Sequence, residues 1–133
     1  MEANVNWLAI LVASLSSFAI GGLWYSKALF GKVWMKEIAM TDADIEKSNM
    51  AKIFGLTFVL SFIMATCLAF FFGDKVNVTE GMLYGGLTGL GWVSAALGVL
   101  YLFERKSFTL WAIHAGYNTI TFIVMGAILG AWH

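Results

Sequence analysis

Four long apolar runs constrain this chain more than any other feature of its sequence. None of them contains Asp, Glu, Lys or Arg. A helix rises about 1.5 Å per residue, so roughly 20 residues cross the ~30 Å hydrocarbon layer of a bilayer. A helix also satisfies its own backbone hydrogen bonds inside lipid. We therefore predict an all-α, polytopic membrane protein, a single domain over 1–133 with four transmembrane helices at about 5–25, 53–72, 82–103 and 108–132.

Composition narrows the function classes. Hydrophobic residues make up 60% of the 133 residues and charged residues 12%, which is more apolar surface than a soluble domain of this size can bury. The formal net charge is zero, so we expect the lipid bilayer as partner and no nucleic acid. Cys67 is the single cysteine, and we expect no metal and no cofactor. The apolar runs hold no nucleophile–base pair, so we predict that the protein is not an enzyme.

The basic residues predict the orientation in the membrane. Lys75 is the one member of the eight Lys and Arg residues that lies outside the segments 26–52 and 104–106. Cytoplasmic segments carry an excess of Lys and Arg, so both of these segments should be cytoplasmic and both chain ends outside. The first run lacks a preceding basic stretch and is longer than the apolar part of a signal peptide. We expect it to be a permanent helix.

The segment 26–52 is too apolar for a free linker. Phe30, Val33, Trp34 and Ile38 follow helical spacing, which predicts a short cytoplasmic helix lying in the headgroup layer. Such a helix is either an elbow that packs the bundle or a lipid-sensing or partner-docking element. Thr41 and the acids after it are typical of a helix start, and we expect one continuous helix from there over about 42–72.

Small residues recur at four-residue spacing along the spans. Lipid provides no hydrophobic drive for helix association, so close backbone packing at small residues is decisive. The packing candidates are Gly21 in the first span, Gly85 and Gly89 in the third, and Gly126 and Gly130 in the fourth. These stripes serve packing inside the bundle or between protomers. Because one four-helix protomer has room to bury only some of them, we expect a homo-oligomer.

One polar stripe marks the candidate site. His114, Tyr117, Asn118 and Thr121 share one face of the fourth span at 100° per residue, and ionisable groups inside a membrane usually face a protein interior or a hydrated cavity. The stripe either lines a path for a proton, ion or small polar solute, or forms hydrogen bonds that fix helix packing. Trp92, near the centre of the third span, is either a pore or pocket wall or a packed core side chain.

Two functions from different classes follow. The first is an oligomeric channel or transporter for an ion or small solute. The alternative is a non-transport membrane scaffold or regulator that packs through its small-residue stripes, with a cytoplasmic segment that binds lipid or another protein. A hydrated cavity along the polar stripe favours the first, whereas hydrogen bonds that pair the stripe between helices favour the second.

Several sequence blocks also resemble a known family. They are NWLAI at 6–10, GLWYS at 22–26, LFGK at 29–32, YLFERK at 101–106, AGY at 115–117 and MGAIL at 125–129. Together they resemble the small prokaryotic membrane family catalogued as domain of unknown function 1761, over nearly the whole chain. The resemblance implies a four-helix protein of a prokaryotic cytoplasmic (inner) membrane. The family carries no established activity, so the resemblance assigns no catalytic residue.

Overall fold

A computed structural model of the protein describes residues 5–132. These residues form helices and connecting turns, and no strand occurs among them. Residues 1–4 and His133, where the predicted outward chain ends fall, lie outside this range. In chain order the elements are α1 (Trp7–Trp24), α2 (Gly31–Glu37), α3 (Asp42–Lys47), α4 (Met50–Phe72), α5 (Val78–Gly86), a π-helical segment (Leu87–Ser94), α6 (Ala95–Phe103) and α7 (Phe108–Ala131).

Four helical stretches within residues 5–132 are long and apolar enough to cross a bilayer. The first span is α1, the second is α4, the fourth is α7, and the third is the continuous stretch Val78–Phe103 made of α5, the π segment and α6. This confirms the all-α class and the four predicted spans. The third span begins earlier than its apolar run, because Asn77 and Glu80 form a reciprocal capping box at its start.

The prediction of one continuous helix over about 42–72 is wrong. Helix α3 ends at Lys47, Ser48 is extended, and Asn49 starts α4 by accepting a hydrogen bond from the Lys52 backbone N–H at 3.1 Å. The Ser48 hydroxyl donates to the Asp44 carbonyl at 2.8 Å. Ser and Asn side chains that bond to nearby backbone groups compete with helix continuation. Two such residues in succession break this helix.

Thr41 and Asp44 cap the start of α3, as the sequence indicates. The Thr41 backbone N–H donates to the Asp44 carboxylate at 2.9 Å, and the Asp44 backbone N–H donates to the Thr41 hydroxyl at 3.2 Å. The hydrogen bond from the Thr41 backbone, reinforced by the Thr41 side chain, lowers the pKa of the Asp44 carboxyl. The segment between the first and second spans therefore contains two short helices, and a capped break joins it to the second span.

The fourth span lies at the centre of the bundle. It packs against the first, second and third spans, whereas the second span packs mainly against the first. The largest group of buried apolar side chains joins three spans, and its members are Ala9, Ile10 and Ala13 of the first, Ala65, Leu68 and Phe72 of the second, and Phe122, Met125 and Leu129 of the fourth. The outer faces of the second and third spans remain exposed.

The third and fourth spans cross at backbone contact. A β-carbon on Gly81 would overlap the Gly126 carbonyl, and one on Gly126 would overlap the Gly81 carbonyl. One turn away, a β-carbon on Gly85 would overlap the Phe122 carbonyl. Helices approach this closely only where at least one side lacks a side chain.

The same crossing extends towards both ends. A β-carbon on Gly89 would lie 2.8 Å from the Thr119 Cα, and one on Gly130 would overlap the Asn77 carbonyl. Gly21 instead faces the Tyr117 ring of the fourth span, at 3.3 Å from such a β-carbon. These contacts place the predicted glycine stripes inside one protomer, so they are not free to hold two copies together.

Candidate functional site

His114 lies about two turns from the start of the fourth span and bonds to the end of the first. Its Nδ1 atom is 2.6 Å from the hydroxyl oxygen of Tyr25, the residue that follows α1. The two rings are 5.6 Å apart between centroids. A phenol and an imidazole at this distance form one hydrogen bond, and the imidazole tautomer determines which of the two groups donates.

Two further tyrosines lie beside this pair. The Tyr101 ring at the end of the third span meets the His114 ring edge-on at 6.0 Å, and the Tyr117 ring lies 5.4 Å from the Tyr25 ring. We call Tyr25, Tyr101, His114 and Tyr117 the His114 cluster. It draws on the first, third and fourth spans at the end that carries the basic segments.

Helix α2 is seated against the His114 cluster. The Trp34 ring lies 5.1 Å from the Tyr25 ring. The Ser107 hydroxyl, which caps the fourth span, also donates to the Glu37 carboxylate at the end of α2. An acid beside a helix N-terminus complements the helix dipole. This short helix is thus tied both to the cluster and to the start of the fourth span.

Trp24 fixes the neighbouring turn. Its indole N–H donates to the Ile113 carbonyl at 2.8 Å, and its ring contacts the Phe30 ring at 4.8 Å. Gly116 makes room for the indole, since a β-carbon there would lie 2.6 Å from the Trp24 Cζ2 atom. The end of the first span is therefore held on the fourth span by adjacent residues, Trp24 and Tyr25.

The rest of the polar stripe bonds within the protomer. Tyr117 donates its hydroxyl to the Ser17 carbonyl at 3.0 Å, and the Ser17 and Ser61 hydroxyl oxygens lie 3.1 Å apart. These contacts link the fourth, first and second spans in sequence. The Asn118 side-chain amide donates to the His114 carbonyl of its own helix at 2.8 Å. His114, Tyr117 and Asn118 of the stripe are thus each hydrogen-bonded within the protomer.

Thr121 differs from its neighbours. Its side chain is 1% exposed, and its hydroxyl oxygen has no hydrogen-bond partner of acceptable geometry within the described chain. It lies close enough to the Tyr117 hydroxyl to interact with it electrostatically. A buried hydroxyl without a full hydrogen bond costs free energy unless water reaches it.

Trp92 is on the outer surface of the third span. Its side chain is 71% exposed, so inside this protomer it is neither a packed core residue nor the wall of an internal path. It borders an apolar groove of about 490 Å³ between the second and third spans, together with Cys67 and Phe71. Trp111, by contrast, forms a hydrogen bond between spans: its indole N–H donates to the Ser94 carbonyl of the third span at 2.8 Å.

Sequence reasoning found His114 and Tyr117 but missed Tyr25 and Tyr101. One signal was available: all three tyrosines and the histidine fall within three turns of the span ends that adjoin basic segments. Within residues 5–132, no three His, Cys, Asp or Glu side chains meet as a possible metal-binding group. The chemistry present in the cluster is that of phenol and imidazole hydrogen bonds.

Comparison with known proteins gives one match. The model of a family described as "Protein of unknown function (DUF1761)" matches residues 8–130. Neither a curated protein nor a solved structure matches the chain. Because the family match covers nearly the whole chain, the resemblance noted in the sequence is confirmed. The protein belongs to the DUF1761 family.

Proposed function

We propose that the protein is a non-conducting scaffold or regulator of a prokaryotic cytoplasmic membrane. Its spans hold α2 at the membrane surface through the His114 cluster, and the segment α2–α3 meets lipid or another protein. One observation supports this proposal. The His114 imidazole and the Tyr117 hydroxyl each form a hydrogen bond to the first span, or to the residue that follows it, in the same protomer. A permeation path needs such groups to face water.

The surface of α2 suits an interfacial role. Lys32 and Lys36 are exposed on one side, while Trp34 is turned to the His114 cluster. Lys and Arg near the cytoplasmic leaflet are attracted to its anionic lipids. The proposal includes no enzymatic step, because the four members of the cluster are three tyrosines and one histidine, with no carboxylate, serine or cysteine among them.

We expect purified protein in vesicles to pass no ions or protons above the level of protein-free vesicles between pH 5 and 8. Dye-based flux assays under an imposed gradient measure this directly. Tyr25→Phe is the matched variant, since it removes the hydroxyl bonded to His114 and leaves the ring in place. Flux that depends on His114 would contradict the proposal.

Permeation is the second candidate, and the Thr121 hydroxyl favours it. A buried hydroxyl with no full hydrogen bond fits an internal water. A path along Tyr117 and Thr121 would then be hydrated in part. Under this candidate, His114→Gln changes the pH response of flux while the fold persists, because glutamine keeps hydrogen bonding and loses titration.

The orientation is proposed as both chain ends outside, on the distribution of Lys and Arg. In a Cys67→Ser background, Asp74→Cys should react with an impermeant thiol reagent in intact cells. Lys47→Cys should react only after the membrane is permeabilised. Both positions are exposed outside the spans, so each reports its own side. The reverse pattern of labelling would invert the topology.

Homo-oligomerisation remains part of the proposal, but through a surface other than the glycine stripes. The glycine stripe is used between the third and fourth spans. The exposed faces of the second and third spans, which include Leu60, Leu87 and Trp92, are the surfaces left for a second copy.

A further inference from the structure

A second cavity lies where the third span ends and the fourth begins. Its volume is about 270 Å³. One charged side chain, Lys106, lines it, together with the Tyr101 ring and the apolar side chains of Leu102, Phe108 and Trp111. The lining is therefore amphipathic, because it combines one lysine and one tyrosine with larger apolar side chains.

The Lys106 ammonium has no counter-ion within residues 5–132. The ion pair found there joins Lys27 to Asp42, far along the chain. The Glu37 carboxylate accepts the Ser107 hydroxyl and is not part of the cavity lining. Glu104 is in the same turn as Lys106 and also does not line the cavity, although it is close enough to Tyr101 to interact with it electrostatically. Lys106 is thus the charged side chain of the cavity wall, and it forms no ion pair within the described residues.

The turn beside the cavity carries a second cation, directly before Lys106 in the chain. Arg105 adopts a left-handed backbone conformation with φ of 57°, and the Lys106 backbone N–H closes the turn on the Tyr101 carbonyl at 2.9 Å. Glycine adopts this conformation without strain. The chain instead carries arginine there, exposed.

The location is that of the lipid headgroups. The cavity lies at the ends of two spans, on the side that carries the basic segments. Leu102 and Phe108 are 79% and 77% exposed, so their side chains continue the apolar wall out into the bilayer. Basic pockets between span ends on the cytoplasmic side attract lipid headgroups.

We propose that this cavity binds the phosphodiester of a bilayer phospholipid. The Lys106 ammonium pairs with the phosphate, the Tyr101 hydroxyl donates to one of its oxygens, and an acyl chain lies along Leu102 and Phe108. A free phosphate would leave this apolar wall uncovered, whereas a lipid would cover it, so we propose a lipid as the occupant. Binding here is independent of whether the protein conducts solutes. Because Tyr101 also contacts His114, the bound lipid adjoins the His114 cluster.

Native mass spectrometry of delipidated protein tests this proposal with phosphatidylglycerol as the probe. The wild-type protein should retain one lipid preferentially, and Lys106→Gln should weaken that binding roughly fivefold, as expected for one lysine near the membrane surface. Lys106→Arg should restore it. Lys52→Gln is the matched control, because Lys52 is exposed at the start of the second span and borders no part of the cavity.

Each other outcome counts against the site. Equal losses of lipid binding in Lys106→Gln and Lys52→Gln would show that the effect comes from general surface charge and not from the cavity. Unchanged binding in Lys106→Gln would remove the cavity as the site. Inorganic phosphate and glycerol 3-phosphate should fail to displace the lipid at millimolar concentration, and displacement by either would identify a soluble phosphate compound as the occupant instead. Circular dichroism of each variant establishes that it is folded.

Discussion

Gly126→Leu should abolish the folded state of the protein in the membrane. Gly126 and Gly81 meet backbone to backbone, and even a β-carbon on either would overlap the carbonyl of the other. A leucine side chain would force the third and fourth spans apart along the most extensive helix contact of the protomer. Overpacking a close contact typically costs about 1–3 kcal/mol and sometimes more. Because rigid backbone lies on both sides of this contact, we expect a loss of stability at the upper end of that range.

The control is Gly91→Leu in the third span, on the other side of the same helix pair. A β-carbon on Gly91 meets nothing within 4 Å, so leucine there points to lipid and should fold. Fluorescence-detected size exclusion in detergent, followed by a thermal melt, compares the two variants. If Gly126→Leu elutes and melts like Gly91→Leu, the spans do not cross at these glycines.

Gly116→Ala should release the Trp24 indole and loosen α2. The added methyl would lie 2.6 Å from the Trp24 Cζ2 atom, so the ring must move. The move breaks the bond from the indole to the Ile113 carbonyl and disturbs the ring contact with Phe30 just before α2. Together with overpacking we expect a loss of about 1–3 kcal/mol of stability.

Gly22→Ala is the matched control for that variant. It adds the same methyl two residues from Trp24, where a β-carbon meets nothing within 4 Å. Limited proteolysis of the segment 31–47 in vesicles should become several-fold faster in Gly116→Ala and stay unchanged in Gly22→Ala. Equal protection of both variants would show that Trp24 does not anchor α2.

The spans could be predicted because their signal is local. An apolar run without charge identifies a membrane helix by length alone, and the observed limits, such as Phe108–Ala131, differ from the runs by a few residues. The break at Ser48 and Asn49 could not be found in this way. It depends on two side-chain hydrogen bonds to backbone that average periodicity does not detect.

The glycine stripe shows where prediction of packing ends. Spacing identifies the face of a helix that is packed closely, but it does not identify the helix on the other side. Gly85, Gly89 and Gly126 were candidates for packing inside the bundle or between protomers, and the structure places them between two spans of one chain. The π segment in the third span adds a local change of period that no sequence pattern announced.

The candidate site was half predictable for the same reason. His114 was conspicuous as an ionisable side chain in an apolar run, and Tyr117 lies on its own helix face. Tyr25 is 89 residues away from His114 in the chain. Its role depends on how the first span crosses the fourth, which is a tertiary property. Trp92, also singled out from its depth, is exposed on the outer surface, where it borders the groove between the second and third spans.

The pairing of His114 with Tyr25 is most directly tested by solid-state NMR of ¹⁵N-histidine-labelled protein in bilayers. His133→Gln leaves His114 as the single histidine of the chain. A short hydrogen bond to the Tyr25 hydroxyl predicts that the Nδ1 resonance shifts clearly in Tyr25→Phe. It should stay in place in Tyr84→Phe, which removes the hydroxyl of the one tyrosine outside the His114 cluster. The pairing would be contradicted if the Nδ1 resonance did not shift in Tyr25→Phe and the imidazole proton exchanged with water. That result would place His114 on a hydrated path.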